Sequence, residues 1–174
     1  TTTYSSPIGG MLLAADDIGL TGLWFDGEKF YAKSLDAEHE EKEVPVFRAV
    51  KRWLDCYFSG KNPGALPPLH MIGSPFQLTV WRILQQISYG ETITYGEIAK
   101  QVAAKRGLER MSAQAVGGAV GHNEISVIVP CHRVVGSNGS LTGYAGGVDK
   151  KVKLLSLEGV DMSRLFVPAK GTAL

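Results

Sequence analysis

The apolar positions of this chain follow two rhythms. Gly10-Met-Leu-Leu-Ala-Ala15 and Ile18-Gly-Leu-Thr-Gly-Leu-Trp-Phe25 are short apolar runs on either side of Asp16-Asp17, and they predict two strands joined by a turn. Residues 26–43 are polar and charged, so they read as a surface loop. From 44 to 58 the period lengthens. Val46, Phe47, Val50, Trp53, Leu54 and Tyr57 recur at spacings of three and four, which predicts a helix with one apolar face. Cys56 lies beside that face and reads as a small half-buried hydrophobe. Ser59-Gly-Lys-Asn-Pro-Gly-Ala-Leu-Pro-Pro68 then breaks the pattern, and residues 59–73 read as a linker. The expected division is 1–73 and 74–174.

The second part reads as mostly helical. Ser74-Pro75 is an N-cap with proline at the first helical position, and Phe76, Val80, Trp81, Ile83, Leu84 and Ile87 supply the face. Thr94 with Glu97 forms a capping box that opens a short helix through Val102. After a basic turn, Lys105–Arg110, Ser112 caps another helix to about Gly121. Residues 94–121 are therefore a candidate helix-turn-helix, with a plain helical hairpin as the alternative. The second of these helices carries little bulk: Ala113, Ala115, Gly117, Gly118, Ala119 and Gly121 dominate it. Each interior glycine costs about 1 kcal/mol against alanine. Such a helix suits close approach to another surface, either a DNA groove or a neighbouring backbone. Ile125–Val129 is β-branched and apolar, and predicts a buried strand or extended segment. Gly136–Gly147 is a glycine-rich loop, and Val148–Glu158 a last helix.

Composition bounds the function. A 44% hydrophobic content supports a real core, and no apolar run is long enough to span a membrane. No signal peptide is expected. Only Cys56 and Cys131 occur, which suits free thiols in a reducing, cytoplasmic setting. No Cys-x-x-Cys or His-x-x-x-His pair is present, so no metal site or cofactor is expected. The net charge of +1 hides an asymmetry. Residues 1–74 carry seven Lys/Arg against ten Asp/Glu, and residues 75–174 carry eleven against seven. A polyanion is expected on the second half.

The candidate chemistry is at Pro130-Cys131-His132-Arg133. Proline restricts the backbone beside a thiol placed at the end of the expected strand. A cationic or basic neighbour lowers a thiol pKa, and a base oriented by a carboxylate completes a nucleophilic arrangement. Side chains adjacent on an extended segment point to opposite faces, so a water is expected to bridge Cys131 and His132. An inert buried thiol and a Cys-His hydrolase are the alternatives from these residues alone.

Pro130-Cys-His-Arg-Val134 resembles the active-site signature of the O6-alkylguanine-DNA alkyltransferases. The likeness extends through Ser74–Trp81, Gly90–Ala99, Ala115–Ala119 with Asn123, Asn138–Gly147 and Leu154–Glu158, and covers about residues 74–160. Residues 1–73 resemble the family's N-terminal domain more loosely. The resemblance implies an α/β fold: a small N-terminal α/β (ribonuclease H-like) domain before a mostly helical domain with a helix-turn-helix. It implies a monomer that acts on double-stranded DNA through the minor groove and takes the alkyl group of O6-alkylguanine, with O4-alkylthymine as a further candidate, permanently onto its own cysteine.

By similarity Cys131 is the nucleophile and acceptor, and His132 its base through a water, oriented by Glu158. Asn123 is the hinge residue, and Tyr95 donates to guanine N3. The N–H of Ala145 faces O6. The carbonyls of Cys131 and Val134 accept from the exocyclic amine, and Tyr144 and Gly146 line the pocket. Ser112, Ala113, Gln114, Ala115, Gly117 and Gly118 form the DNA-binding helix, and Arg133 holds the active-site segment. Two positions depart from the family. Gln114 stands where an Arg often fills the space of the flipped nucleotide. Glu124 follows Asn123 where Pro is common, which would set an acidic group near DNA. A lesion-binding module without efficient transfer is the rival function.

Overall fold

In the N-terminal half, alternation of side chains across the pleat builds a three-stranded antiparallel sheet in the order β1-β2-β3. The strands are β1 (Thr2–Ser6), β2 (Gly9–Ala15) and β3 (Leu20–Phe25). The computed structural model describes residues 1–169. The hairpin of β2 and β3 matches the expected pair. The strand β1 was not expected, because Thr-Thr-Tyr-Ser-Ser carries almost no apolar signal, and it pairs as an edge strand through its backbone. Helix α1 (Pro45–Phe58) buries Phe47, Val50, Trp53, Leu54 and Tyr57 against the sheet, the face set by the three-and-four spacing.

The C-terminal half is built from α2 (Pro75–Leu84), β4 (Ile93–Thr94), α3 (Tyr95–Lys105), α4 (Ala113–Gly121), β5 (Val134–Val135) and α5 (Val148–Leu157). Ser74 with Gln77, and Thr94 with Glu97, form full capping boxes at the starts of α2 and α3. The Ser112 hydroxyl accepts from the N–H groups of Gln114 and Ala115 and starts α4. Helices α3 and α4, joined by residues 106–112, form the helix-turn-helix. The Trp81 indole donates to the Ala119 carbonyl at 2.9 Å and locks α2 against α4. Strands β4 and β5 pair in parallel over two residues. Among the described residues no helix is long and apolar enough to cross a membrane.

The expected strand at 125–129 does not form. Ile125 makes a single bridge to Leu23 of β3, and the chain then turns, with Val127 at φ 70°. Positive φ is unfavourable for a β-branched residue. The apolar run reflects full burial of Ile125, Val127, Ile128 and Val129 rather than a ladder. Cys131 consequently sits at the start of a 3₁₀ turn, Cys131–Arg133, and not at a strand end.

Candidate active site

The turn before Cys131 is shaped by one amide. Asn123 Oδ1 accepts from the Ile125 N–H at 3.0 Å. Its Nδ2 donates to the carbonyls of Val129 at 2.8 Å and Ile125 at 3.2 Å, and reaches Cys131 Sγ at 3.3 Å. A buried side chain thus serves backbone groups that a strand would have paired. Burial pushes the Cys131 thiol up to about 11, against the lowering effects of the Asn123 hydrogen bond and of Lys151. At neutral pH it is a thiol, and it needs a proton acceptor before it can act as a nucleophile.

A buried imidazole–carboxylate pair follows it in the chain. His132 is fully buried, and its Nε2 meets Glu158 Oε2 at 2.5 Å. Burial alone would push the Glu158 carboxyl up, but hydrogen bonds and charge from His132 and Arg133 outweigh it and hold the group at about 2. Burial lowers the His132 pKa. The pair is therefore a neutral imidazole donating Nε2–H to a carboxylate, which leaves the Nδ1 lone pair free. Nδ1 is buried and has no hydrogen-bond partner among the described residues. Glu158 also receives the Tyr57 hydroxyl at 2.6 Å, Arg133 Nε at 2.7 Å and the Gly90 N–H at 3.0 Å. Arg133 further donates to the Ile87 carbonyl at 2.7 Å, so it ties the active-site turn to the turn that follows α2.

In front of the thiol lies a cavity of about 440 Å³, lined by Cys131, Tyr95, Tyr144, Ala145, Gly117 and Gly118 among others. It opens between α4, the glycine-rich loop, and Lys29 and Phe30 of the N-terminal half. The Tyr95 hydroxyl donates to the Thr142 carbonyl at 3.2 Å, and burial raises its pKa, so it keeps its proton. The Cys131 carbonyl accepts from the Val134 N–H, and the Val134 carbonyl accepts from Lys151 Nζ at 2.6 Å. The Ala145 carbonyl accepts from the Lys29 N–H at 2.9 Å. Gly146 sits where a Cβ would press on Tyr144 at 3.0 Å and Phe25 at 3.1 Å. Ser112, Ala113, Gln114 and Ala115 lie exposed at the start of α4, away from the thiol, while Gly117 and Gly118 bring the helix to the cavity rim.

Two residues of the site escaped sequence reading. Lys151 has no exposure, and its ammonium donates to the carbonyls of Val134, Gly143 and Thr142, clipping α5 to the loop around the cavity. Tyr57 read as core, and its hydroxyl lies too far along the chain from Glu158 for spacing to reveal the contact. Glu124, expected near DNA, is engaged within the fold. Its carboxylate accepts from the Trp24 indole at 2.8 Å and the Ser34 hydroxyl at 3.2 Å, because β3 lies alongside residues 124–126. Among the described residues no cluster of three His, Cys, Asp or Glu side chains is placed to hold a metal ion.

Comparison with known proteins places this geometry. Residues 75–160 match the DNA binding domain of 6-O-methylguanine DNA methyltransferase, and residues 1–65 match its ribonuclease-like domain. A methylated-DNA–protein-cysteine methyltransferase of Methanosarcina acetivorans is 45% identical over 156 residues, covering 90% of this chain and 96% of its own. That of Haemophilus influenzae is 39% identical, covering 90% and 84%. The crystal structure of Mycobacterium tuberculosis OGT in complex with DNA superposes with a TM-score of 0.78 at 40% identity, covering 97% of this chain and 94% of that one. With both halves matched and the thiol, imidazole and carboxylate assembled beside a cavity, the chain belongs to the 6-O-methylguanine DNA methyltransferase family.

Proposed function

We propose that this protein repairs DNA by moving the alkyl group from O6 of an alkylated guanine onto Sγ of Cys131, once and irreversibly. The observation that carries this is that Cys131 lines the cavity and is followed directly by His132, which is buried and paired with Glu158. The target atom lies inside the duplex, so the nucleotide must leave the stack to reach such a pocket. The bare face of α4 suits close approach in the minor groove, with Ser112, Ala113, Gln114 and Ala115 at the backbone and Gly117 and Gly118 at the rim.

The thiol proton passes through a water to His132 Nδ1, and Glu158 steadies the imidazolium that forms. Sγ then bonds to the alkyl carbon as the carbon–O6 bond breaks, and the electron pair goes to the guanine. Tyr95, which keeps its proton, turns from Thr142 to donate to guanine N3 as charge develops there. The Ala145 N–H faces O6, and the carbonyls of Cys131 and Val134 use their remaining lone pairs for the exocyclic amine. Asn123 braces the segment between α4 and the thiol, Arg133 holds it from behind, and Tyr144 and Gly146 line the pocket. The thioether is stable, so each molecule acts once. O4-alkylthymine, whose exocyclic oxygen is chemically similar, is a second substrate. The reading also takes residues 1–73 and 74–174 as the two domains, a monomer as the working form, and the cytoplasm, where thiols stay reduced, as the compartment.

The test uses duplex DNA carrying O6-methylguanine. One methyl mass should appear on the peptide holding Cys131, with no more than one equivalent consumed. Tight lesion binding with unmodified Cys131 would instead mean a binding module, and repeated turnover would exclude the suicide step.

A further inference from the structure

Two carboxylates are buried in the described part of this protein, Glu158 and Glu28. Glu158 is matched by Arg133, but no basic side chain among the described residues forms an ion pair with Glu28. A buried carboxylate without a countercharge is costly, so its hydrogen bonds indicate what holds it there. Glu28 Oε2 accepts from the Phe25 N–H at 3.0 Å and from the Ser126 hydroxyl at 3.2 Å. Gly27, at φ 76°, makes the tight turn that folds Glu28 back over the end of β3. Ser126 lies in the irregular turn between Asn123 and Cys131 and is 1% exposed. Beside this contact, the Leu23 N–H donates to the Glu124 carbonyl at 2.8 Å, and the Ser126 N–H donates to the Leu23 carbonyl at 2.9 Å. The turn is thus held from inside by Asn123 and from outside by β3 and Glu28.

We infer that Glu28, supplied by the N-terminal half, is a positioning residue for Cys131: its carboxylate straps the end of β3 to the turn that delivers the thiol. Without the strap, that turn keeps its two backbone bonds to β3 and the Trp24–Glu124 hydrogen bond at its start, none of which holds the part that contains Val127 in a backbone region unfavourable to it. The carboxylate also acts through space. Its charge disfavours the Cys131 thiolate, against the opposite effects of the Asn123 hydrogen bond and of Lys151. Glu28 itself is faced by Glu124 from the same turn and by Lys150 from α5, with Tyr31 and Tyr144 also in its field. Burial pushes its carboxyl up to about 7, so its charge changes in the neutral range. The strap and the charge are separable, because Ser126→Ala removes the first and Glu28→Gln the second.

This inference rests on the alkyl-transfer reading, so one arm of the test avoids DNA. Carboxamidomethylation of Cys131 by iodoacetamide, followed by peptide mass, reports thiolate reactivity alone. At pH 8, Glu28→Gln should raise that rate about threefold, as expected when a like charge leaves the thiolate's surroundings and its pKa falls by roughly half a unit. Ser126→Ala should not raise it. Transfer from O6-methylguanine DNA should slow about tenfold in Ser126→Ala, the effect of a loosened nucleophile. Parent-like iodoacetamide rates in a folded Glu28→Gln, or parent-like transfer in Ser126→Ala, would overturn the inference. If Glu28→Gln does not fold, Ser126→Ala decides by itself. A parent protein that reacts with iodoacetamide at Cys131 but takes no methyl from DNA would sink the proposed function instead.

Discussion

The imidazole of His132 and the carboxylate of Glu158 meet at 2.5 Å, Nε2 to Oε2, with neither side chain exposed. This contact fixes the tautomer and leaves Nδ1 as the nitrogen open to act as the base in the proposed transfer. In Glu158→Gln the amide no longer enforces that tautomer, and Arg133 loses its countercharge in a buried place. Alkyl transfer should slow about a hundredfold, within the range of general base catalysis. Stability at pH 7 should fall by about 3–5 kcal/mol, the cost of an unpaired buried charge. The pH dependence has a definite sign. The folded pKa of Glu158 is about 2 against an ordinary 4.5, so its contribution is present above pH 4.5 and is lost as the pH falls toward 2. Urea unfolding at pH 7, 4 and 3 should show part of that acid loss in the parent, about 2 kcal/mol by pH 3, and a shallower one in the variant.

Asn123 makes a separable prediction, because it serves the turn and the thiol together. Asn123→Ala leaves the buried Ile125 N–H and the Val129 carbonyl without the side chain, so the urea midpoint should drop by the equivalent of about 2–3 kcal/mol. Asn123→Asp keeps the shape and the acceptor but loses the donor to Sγ and adds a negative charge beside it. Transfer by Asn123→Asp should therefore be slow at pH 7 and recover as the pH rises, because the thiol pKa goes up. A flat pH profile would show that Asn123 acts on the fold alone.

These residues also show what could be read from the chain. Local signals succeeded: the N-cap at Ser74, the capping box at Thr94, the apolar face of α1, and the glycine-rich loop that precedes α5 are all set within a few residues. The motif around Cys131 carried the thiol, imidazole and distant Glu158 together only through family likeness. What failed was decided by contacts remote in sequence. β1 forms because β2 offers an edge, not because Thr-Thr-Tyr-Ser-Ser favours it. Residues 125–129 have strand composition, yet Asn123 and β3 take their backbone groups and bend them. Tyr57, Lys151 and Glu28 reach the site from helices and loops whose local pattern said only core or surface.

Gly118 tests the use of α4. A Cβ built there meets nothing within 4 Å, so the protein itself has room for a side chain. Gly118→Leu should raise helix stability by up to about 0.8 kcal/mol from propensity alone. If the bare face enters a groove, the same change should weaken DNA binding by about tenfold, as expected for bulk forced into a close-packed contact. Thermal unfolding and fluorescence anisotropy with a duplex would read the two effects separately. Higher stability with unchanged binding would place the DNA on another face.

Gln114 bears on how the duplex is gripped. It is exposed in the first turn of α4, next to the N–H groups capped by Ser112, and it brings no charge. Gln114→Arg would add a cation at the positive end of a helix, which costs the fold a few tenths of a kcal/mol. On DNA the balance reverses, because a phosphate neutralises it and a counterion is released. The variant should bind more tightly at low salt, and log K should fall with log salt more steeply by about 0.9 per added contact. Titrations between 50 and 200 mM salt resolve that slope. An unchanged slope with tighter binding would mean that the side chain fills the space left by the flipped base without reaching the backbone. An unchanged affinity would place residue 114 outside the contact altogether.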